Sequence, residues 1–434
     1  MTELVDDLRQ RLSRYPMTTH PVEHATLRFN LGMALAESPH GNHTEHLMTA
    51  IEQYAESLRV FTATAHPRER ARVLTALGAA ERELGRPIQA RDRFTEALGL
   101  VSVDSAPAEV GAAANGLGLA LADLGDREDA IAAYRRAEAA FSDRSRQLAA
   151  TLHNLGLVLA AGGSPQALTD ALEAYRQGLD LVDPRTDGYV WASLHHARAV
   201  ALMGLPGDRM RHLNDAIRSE TAALTVFTRR SHPFQYAIAR NNMGVAYTEL
   251  SSGHATMLRR ALVALEEAVT IFDPRLHPEP WQQAKQNLDG VERSLGEGVD
   301  FVRDRSAHFA TLAAEVSGPE RTELLRTRLS LVFEHPLERR TSMLAALDNA
   351  IVGLDGTSQN VVTRSWMTVL MEHPRDHVLE ALASRQRAHE RLDHPQRAIA
   401  VRAVEAALGE LEVLQRVGIR DTLSSLGYQR PDGS

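Results

Sequence analysis

The sequence predicts an all-α protein, a solenoid of stacked helix hairpins followed by a C-terminal helical module. Three recurring features predict it. An apolar residue followed by glycine returns at Leu31-Gly32, Leu77-Gly78, Leu117-Gly118, Leu155-Gly156 and Met243-Gly244. A residue–proline pair opens twelve residues before the glycine in most units, and an alanine-headed apolar motif follows it. Self-similarity at a held register is the mark of small units that bury their apolar faces only by stacking.

Helix A of each unit starts at the proline: His20-Pro21, His66-Pro67, Ala106-Pro107, His232-Pro233 and His277-Pro278. Proline suits a first helical turn, where its missing N–H has no intrahelical partner to lose. Two weaker copies fall in phase, with Arg198 and Asp289 in place of the glycine, so the anchors step by 46, 40, 38, 42, 46 and 45 residues. Arginine at a close-packing position reads as repeat decay, with the side chain pointing out or pushing the partner helix away.

Helix B reads Ala-Ile-Glu-Gln-Tyr-Ala-Glu-Ser-Leu-Arg-Val-Phe at Ala50–Phe61, and copies begin at Ala90, Ala130, Ala171, Ala216 and Ala261. Small or apolar residues at offsets 0, 1, 4, 7, 8, 10 and 11 make one helical face rather than strand alternation. The anchor glycine is expected to face the B-helix alanines, as Gly78 faces Ala90 and Ala97. Three units are longer and carry Gly41, Gly207 and Gly253, then Leu47, Leu213 and Leu258 three residues before the alanine. An extra turn on B puts that leucine on the buried face.

The expected organisation is an N-terminal helix or cap at 1–19, an array at 20–296 of about six repeats plus a degenerate seventh A helix, and a C-terminal module at 297–434. That module reads as helices over Phe301–Val316, Pro319–Glu334, Pro336–Leu354, Asn360–Glu372, Pro374–Leu392 and Pro395–Val417, with a short mobile tail from Arg430. A faint duplication links Thr327-Arg328…Glu334-His335-Pro336 to Thr363-Arg364…Glu372-His373-Pro374. It is read as a degenerate helical hairpin that caps the open face of the array.

The anchors carry a resemblance to the tetratricopeptide family over about residues 20–296. Asn30-Leu31-Gly32, Asn154-Leu155-Gly156 and Asn242-Met243-Gly244-Val245-Ala246-Tyr247 match its helix A, and Ala130, Tyr134 and Ala137 its helix B. The resemblance implies a superhelix whose A helices line a concave, ligand-holding side. The long units resemble the arrays beside CHAT-type protease domains. Those proteases need a His–Cys pair, and this chain has no cysteine, so only the array is matched. A clamp that grips chaperone C-termini with lysines is also excluded: the row six residues before the anchor is Thr26, Arg72, Ala112, Ala150, Ala192, Ile238 and Gln283.

Composition narrows the function. With no cysteine there is no disulfide, thiolate metal site or cysteine nucleophile. Net charge is −8, and no clustered positive excess suits a phosphate backbone, so no nucleic-acid partner is expected. Lys285 is the only lysine, which leaves almost no candidate for Schiff-base or phosphate-loop chemistry. The acidic start Met1–Leu8 does not read as a signal peptide, and no apolar run reaches the roughly 18 residues of a spanning helix. A cytoplasmic protein without a membrane partner is expected.

No nucleophile elbow, phosphate loop or dinucleotide fingerprint is present, so the chain is read as a non-enzyme needing no cofactor. His40, His43 and His46, with Glu45, form the one local histidine cluster; their spacing fits no established metal motif.

The groove is the more informative site. At about 100° per residue, positions −3, +1 and +4 from the anchor turn away from helix B. The −3 row is Phe29, Thr75, Asn115, His153, His195, Asn241 and Gln286; Arg82 and Arg293 stand at +4, and Glu37, Glu83, Asp123 and Glu249 at +5. Amide and imidazole groups in file suit the backbone of an extended peptide. The expected function is a scaffold, adaptor or assembly chaperone holding a partner polypeptide in the groove, with a homo-oligomer left open as a further assembly. The alternative is a peptide- or ligand-responsive regulator that acts through a partner.

Overall fold

The computed structural model describes residues 2–38, 42–141, 146–252, 254–296 and 301–427. Every regular element among them is a helix, and the chain divides into two compact units, Met1–Asn242 and Met243–Ser434. His40, Gly41, Gly253, the 296/297 boundary and the tail from Arg430 lie in or against segments outside the described residues. No described helix is long and apolar enough to cross a membrane.

The first unit begins with α1 (Thr2–Arg14), whose Val5 and Leu8 are buried in one cluster with Leu27, Leu31 and Leu35. Five hairpins of the tetratricopeptide type follow. They pair α2 (Pro21–Ala36) with α3 (His43–Leu58), α4 (Pro67–Glu83) with α5 (Pro87–Leu100), and α6 (Pro107–Leu124) with α7 (Arg127–Ala140). The last two pair α8 (Arg146–Ala160) with α9 (Pro165–Leu179) and α10 (Gly188–Gly204) with α11 (Arg209–Ala223). The division between units falls within α12 (Pro233–Leu250). The prolines foreseen as starts open α2, α4, α6 and α12.

The anchor glycines meet first the ring four residues further along B, and at Gly78 the expected Ala90 follows, its carbonyl oxygen at 3.2 Å. A side chain at Gly118 would begin 2.6 Å from Tyr134, and one at Gly78 would begin 3.0 Å from Phe94. Gly32 and Gly156 stand in the same relation to Tyr54 and Tyr175. The ring outweighs alanine in apolar area, so the notch left by glycine goes to the ring, and all four rings are buried. Leu47 and Leu213 of the longer B helices are buried too, and α9 has a counterpart in Leu168.

The second unit continues with α13 (Ala255–Ile271) and α14 (Pro278–Leu295), and Leu265 of α13 replaces the ring against Gly244. Then come α15 (Phe301–Glu315), α16 (Gly318–Phe333), α17 (Leu337–Val352), α18 (Gly356–Leu370), α19 (Arg375–Glu390), α20 (His394–Gly409) and α21 (Val413–Ser425). The expected helix from Pro395 to Val417 is therefore two helices, broken at Glu410–Glu412.

The packing here is not that of a degenerate hairpin. Each helix leans mainly on the next but one, α15 on α17, α16 on α18, α17 on α19 and α18 on α20, while chain neighbours barely touch. The reason is a repeat of which the sequence showed two copies. Helices α16, α18 and α20 start at Gly318, Gly356 and His394, and α17, α19 and α21 at Leu337, Arg375 and Val413, steps of 38 residues. Like packs on like. Arg326 bonds Glu372 at 2.7 Å, and one repeat later Arg364 bonds Glu410 at 2.7 Å. The third copy reads Glu410-Leu411-Glu412 where the others read Glu-His-Pro, which hid it.

Candidate functional site

A groove runs along the A helices of the first unit. Between α2, α4 and α6 it opens a cavity of about 710 Å³ with Phe29, Met33, Ala76, Ala79 and Ala112 in its wall. The small side chains of Ala79, one residue after the α4 anchor, and Ala112, six residues before the α6 anchor, help make this room. A second cavity of about 400 Å³ continues between α6 and α8, past Asn115, Phe141, Gln147 and Thr151. Ala108 and Ala112 line both, so the two form one track.

The track is charged unequally across its width. Arg68, Arg72 and Glu109 line it toward the N-terminal ends of the A helices, a net positive edge, and Glu37 and Glu83 toward their C-terminal ends. Arg68 is bonded to Glu109 at 2.7 Å. Burial works against charge on Glu109, but the hydrogen bond from Arg68 and the charges of Arg68 and Arg72 outweigh it and hold the carboxyl below its ordinary value. Arg72 lies 5.8 Å from the centre of the Phe29 ring, a cation over an aromatic face.

The residues singled out from the sequence are placed as follows. Asn115 lines the smaller cavity, and its side-chain oxygen accepts from Asn154 at 3.2 Å. His153 is half-buried with its ring 6.3 Å from that of Tyr175, and His195 is half-buried at 4.3 Å from Trp191. Burial lowers the pKa of both; His195, with Arg198 also near, falls to about 4. Asn241 is half-buried. Arg82 reaches across to α6 and bonds Asp123 at 2.7 Å. In the second unit Gln286 is exposed, and Arg293 folds back on the Asp289 carbonyl at 3.3 Å. Of the histidine cluster, His43 bonds Glu83 at 3.1 Å and His46 is half-buried; no metal-sized group of ligands occurs among the described residues.

A polar node missed by the −3 row lies one residue along it. Glu220 of α11 is 1% exposed and takes hydrogen bonds from His196 at 3.0 Å and Asn242 at 3.0 Å. Burial opposes charge on His196, but the Glu220 bond and charge win and raise its pKa above 6.5. Glu220 stands where the other hairpins carry the buried ring. Arg198, at the glycine position, points inward and donates to Ser219 at 2.7 Å. Its presence is thus matched by a change on helix B rather than being decay. Asparagine at 154 and 242 together with histidine at 196 was the available signal, since all three sit two residues before the anchor.

No family model matches the chain, and no curated protein matches it by sequence. Solved structures do. A tetratricopeptide repeat protein from Parabacteroides merdae is 14% identical, with 69% of this chain and 96% of that one covered at a TM-score of 0.41. YrrB, described as a tetratricopeptide protein with an unusual peptide-binding site, is 18% identical over 56% of this chain and 97% of its own, at 0.35. A signal-transduction ATPase with a tetratricopeptide sensor, from Pyrococcus horikoshii, is 11% identical over 93% of this chain and 55% of its own, at 0.42.

Proposed function

We propose that this chain is a protein-interaction scaffold that holds an extended polypeptide segment in the track between α2 and α8. The observation that carries the reading is the continuity of the two cavities through Ala108 and Ala112, with apolar wall and oppositely charged edges. Apolar side chains of the partner supply affinity in such a cleft, and charge sets its direction and register. An adaptor or an assembly chaperone works this way, and neither needs a catalytic residue.

The test uses peptides selected from a random library on the immobilised protein. Ala112 is exposed in the track, so Ala112→Trp fills it without touching the core. Selected peptides should bind wild type and lose at least tenfold in affinity to Ala112→Trp, about 1.4 kcal/mol, with the melting temperature unchanged. Equal binding to both proteins moves the site elsewhere and ends the proposal.

A further inference from the structure

The second unit contains a cavity of its own, of about 260 Å³, between α13, α15, α16 and α17. Its body is apolar: Phe309, Leu331, Val332, Met343, Ala346 and Leu347 line it. Its charge is not. Arg305, Arg328 and Arg339 face the same space, against one lining carboxylate, Glu266.

Two of the three arginines are fixed by carboxylates. Arg328 donates to Glu266 at 2.6 Å, and its guanidinium stands 4.4 Å from the centre of the Phe309 ring. Arg305 donates to Glu292 at 2.6 Å and approaches Glu266 at 3.9 Å. Burial opposes charge on Glu266, yet the charge and hydrogen bond of Arg328 and the charge of Arg305 prevail and hold its carboxyl below the ordinary value. The ion pairs thus leave Arg328 rigid, with its side chain 12% exposed.

Rigid is not saturated. A guanidinium has five N–H donors, and among the described residues Arg328 makes one hydrogen bond, to Glu266. Arg339, exposed at the mouth, makes no hydrogen bond and no ion pair among the described residues. The Ser306 and Ser342 hydroxyls line the same cavity. Glu266 and Glu292 pair with Arg328 and Arg305, and the charge of Glu267 also acts on Arg328, whereas Arg339 has no ion pair among the described residues. An apolar chamber with preset donors and one spare cation fits an anion that carries an apolar body.

We propose that this cavity is a binding site for a small organic acid, with a carboxylate or phosphate group against Arg328 and Arg339 and an apolar body against Phe309 and Met343. The site lies outside the groove of the first unit, so it stands whether or not the groove binds peptide.

The test is a calorimetric titration of the full chain with benzoate, phenyl phosphate, inorganic phosphate and benzyl alcohol. Benzoate or phenyl phosphate should saturate a single site, and which of them binds names the head group. Benzyl alcohol should not bind, and inorganic phosphate should bind at least tenfold more weakly than the tighter organic acid. Arg339→Gln should weaken the organic acid at least tenfold, and Ala346→Phe, which fills the chamber, should abolish binding with the helical circular dichroism retained. If Ala346→Phe fails to fold, Arg339→Gln alone decides. No binding by either acid, equal binding of inorganic phosphate, or an affinity unchanged in Arg339→Gln overturns the proposal.

Discussion

Arg198 and Glu220 occupy, in one hairpin, the two positions that hold a glycine and a buried ring in the four hairpins before it. The first side chain is long where the others have none, and the second is shorter than the ring it replaces. Volume moves from helix B to helix A, and the space between them stays filled.

This exchange predicts strong coupling. Glu220→Tyr alone should clash with Arg198, and Arg198→Gly alone should leave a void, each lowering stability. The double variant Arg198→Gly with Glu220→Tyr recreates the neighbouring arrangement and should recover at least about 1 kcal/mol over the sum of the single losses. Urea unfolding of the four proteins measures it, and additive losses would refute the exchange.

Gly118→Ala should be destabilising although alanine favours helix. The added carbon would stand 2.6 Å from the Tyr134 ring, closer than carbon atoms approach. Overpacking of this kind costs about 1–3 kcal/mol, more than the roughly 1 kcal/mol gained in helix propensity. The control is Gly99→Ala, where the new carbon meets nothing within 4 Å and stability should rise.

Stability should depend on two histidines with opposite signs. Burial, with Arg385 and Arg397 near, pushes His389 down to about 3 from an ordinary 6.5. Its contribution is therefore complete above pH 6.5 and is lost as pH falls toward 3. His196 is raised, so its contribution is complete below pH 6.5 and is lost as pH rises through its higher folded value. Urea midpoints between pH 4 and 8 should fall less steeply on acidification in His389→Gln. In His196→Gln the loss above pH 6.5 should vanish. Parallel curves for wild type and both variants would show that neither site matters.

The buried pair of Asp348 and Arg385 should hold the second unit together. Arg385 donates to Asp348 at 2.7 Å and lies 4.3 Å from the centre of the fully buried Trp366 ring. Removing one partner strands the other: Arg385→Met should cost about 3–5 kcal/mol. Faster amide exchange should extend across α17 and α19 together, because the pair joins those two helices. An increase confined to α19 would contradict the interleaved packing.

The sequence made the array legible because glycine and proline have few other reasons to recur in phase. It left the ring partner of the glycines unread, since aromatic residues in helix B looked like ordinary core. The polar node escaped for a simpler reason. One residue turns a helix by about 100°, so a row chosen at His195 and Asn241 passed beside His196 and Asn242. Glu220 belongs to another helix and has no local signal at all. The cavity of the second unit was illegible for the same cause, its three arginines being drawn from three helices.

The 38-residue step of the second unit also governs how the chain can change in length. A whole inserted copy would meet, at each end, the faces that its own neighbours already present. An insertion of four residues inside α18 would turn everything after it by about 40° and part Arg364 from Glu410. Growth and loss are open to this half of the molecule only in whole steps, whereas the first unit, whose anchors lie 38 to 46 residues apart, absorbs small changes in the turns between its paired helices.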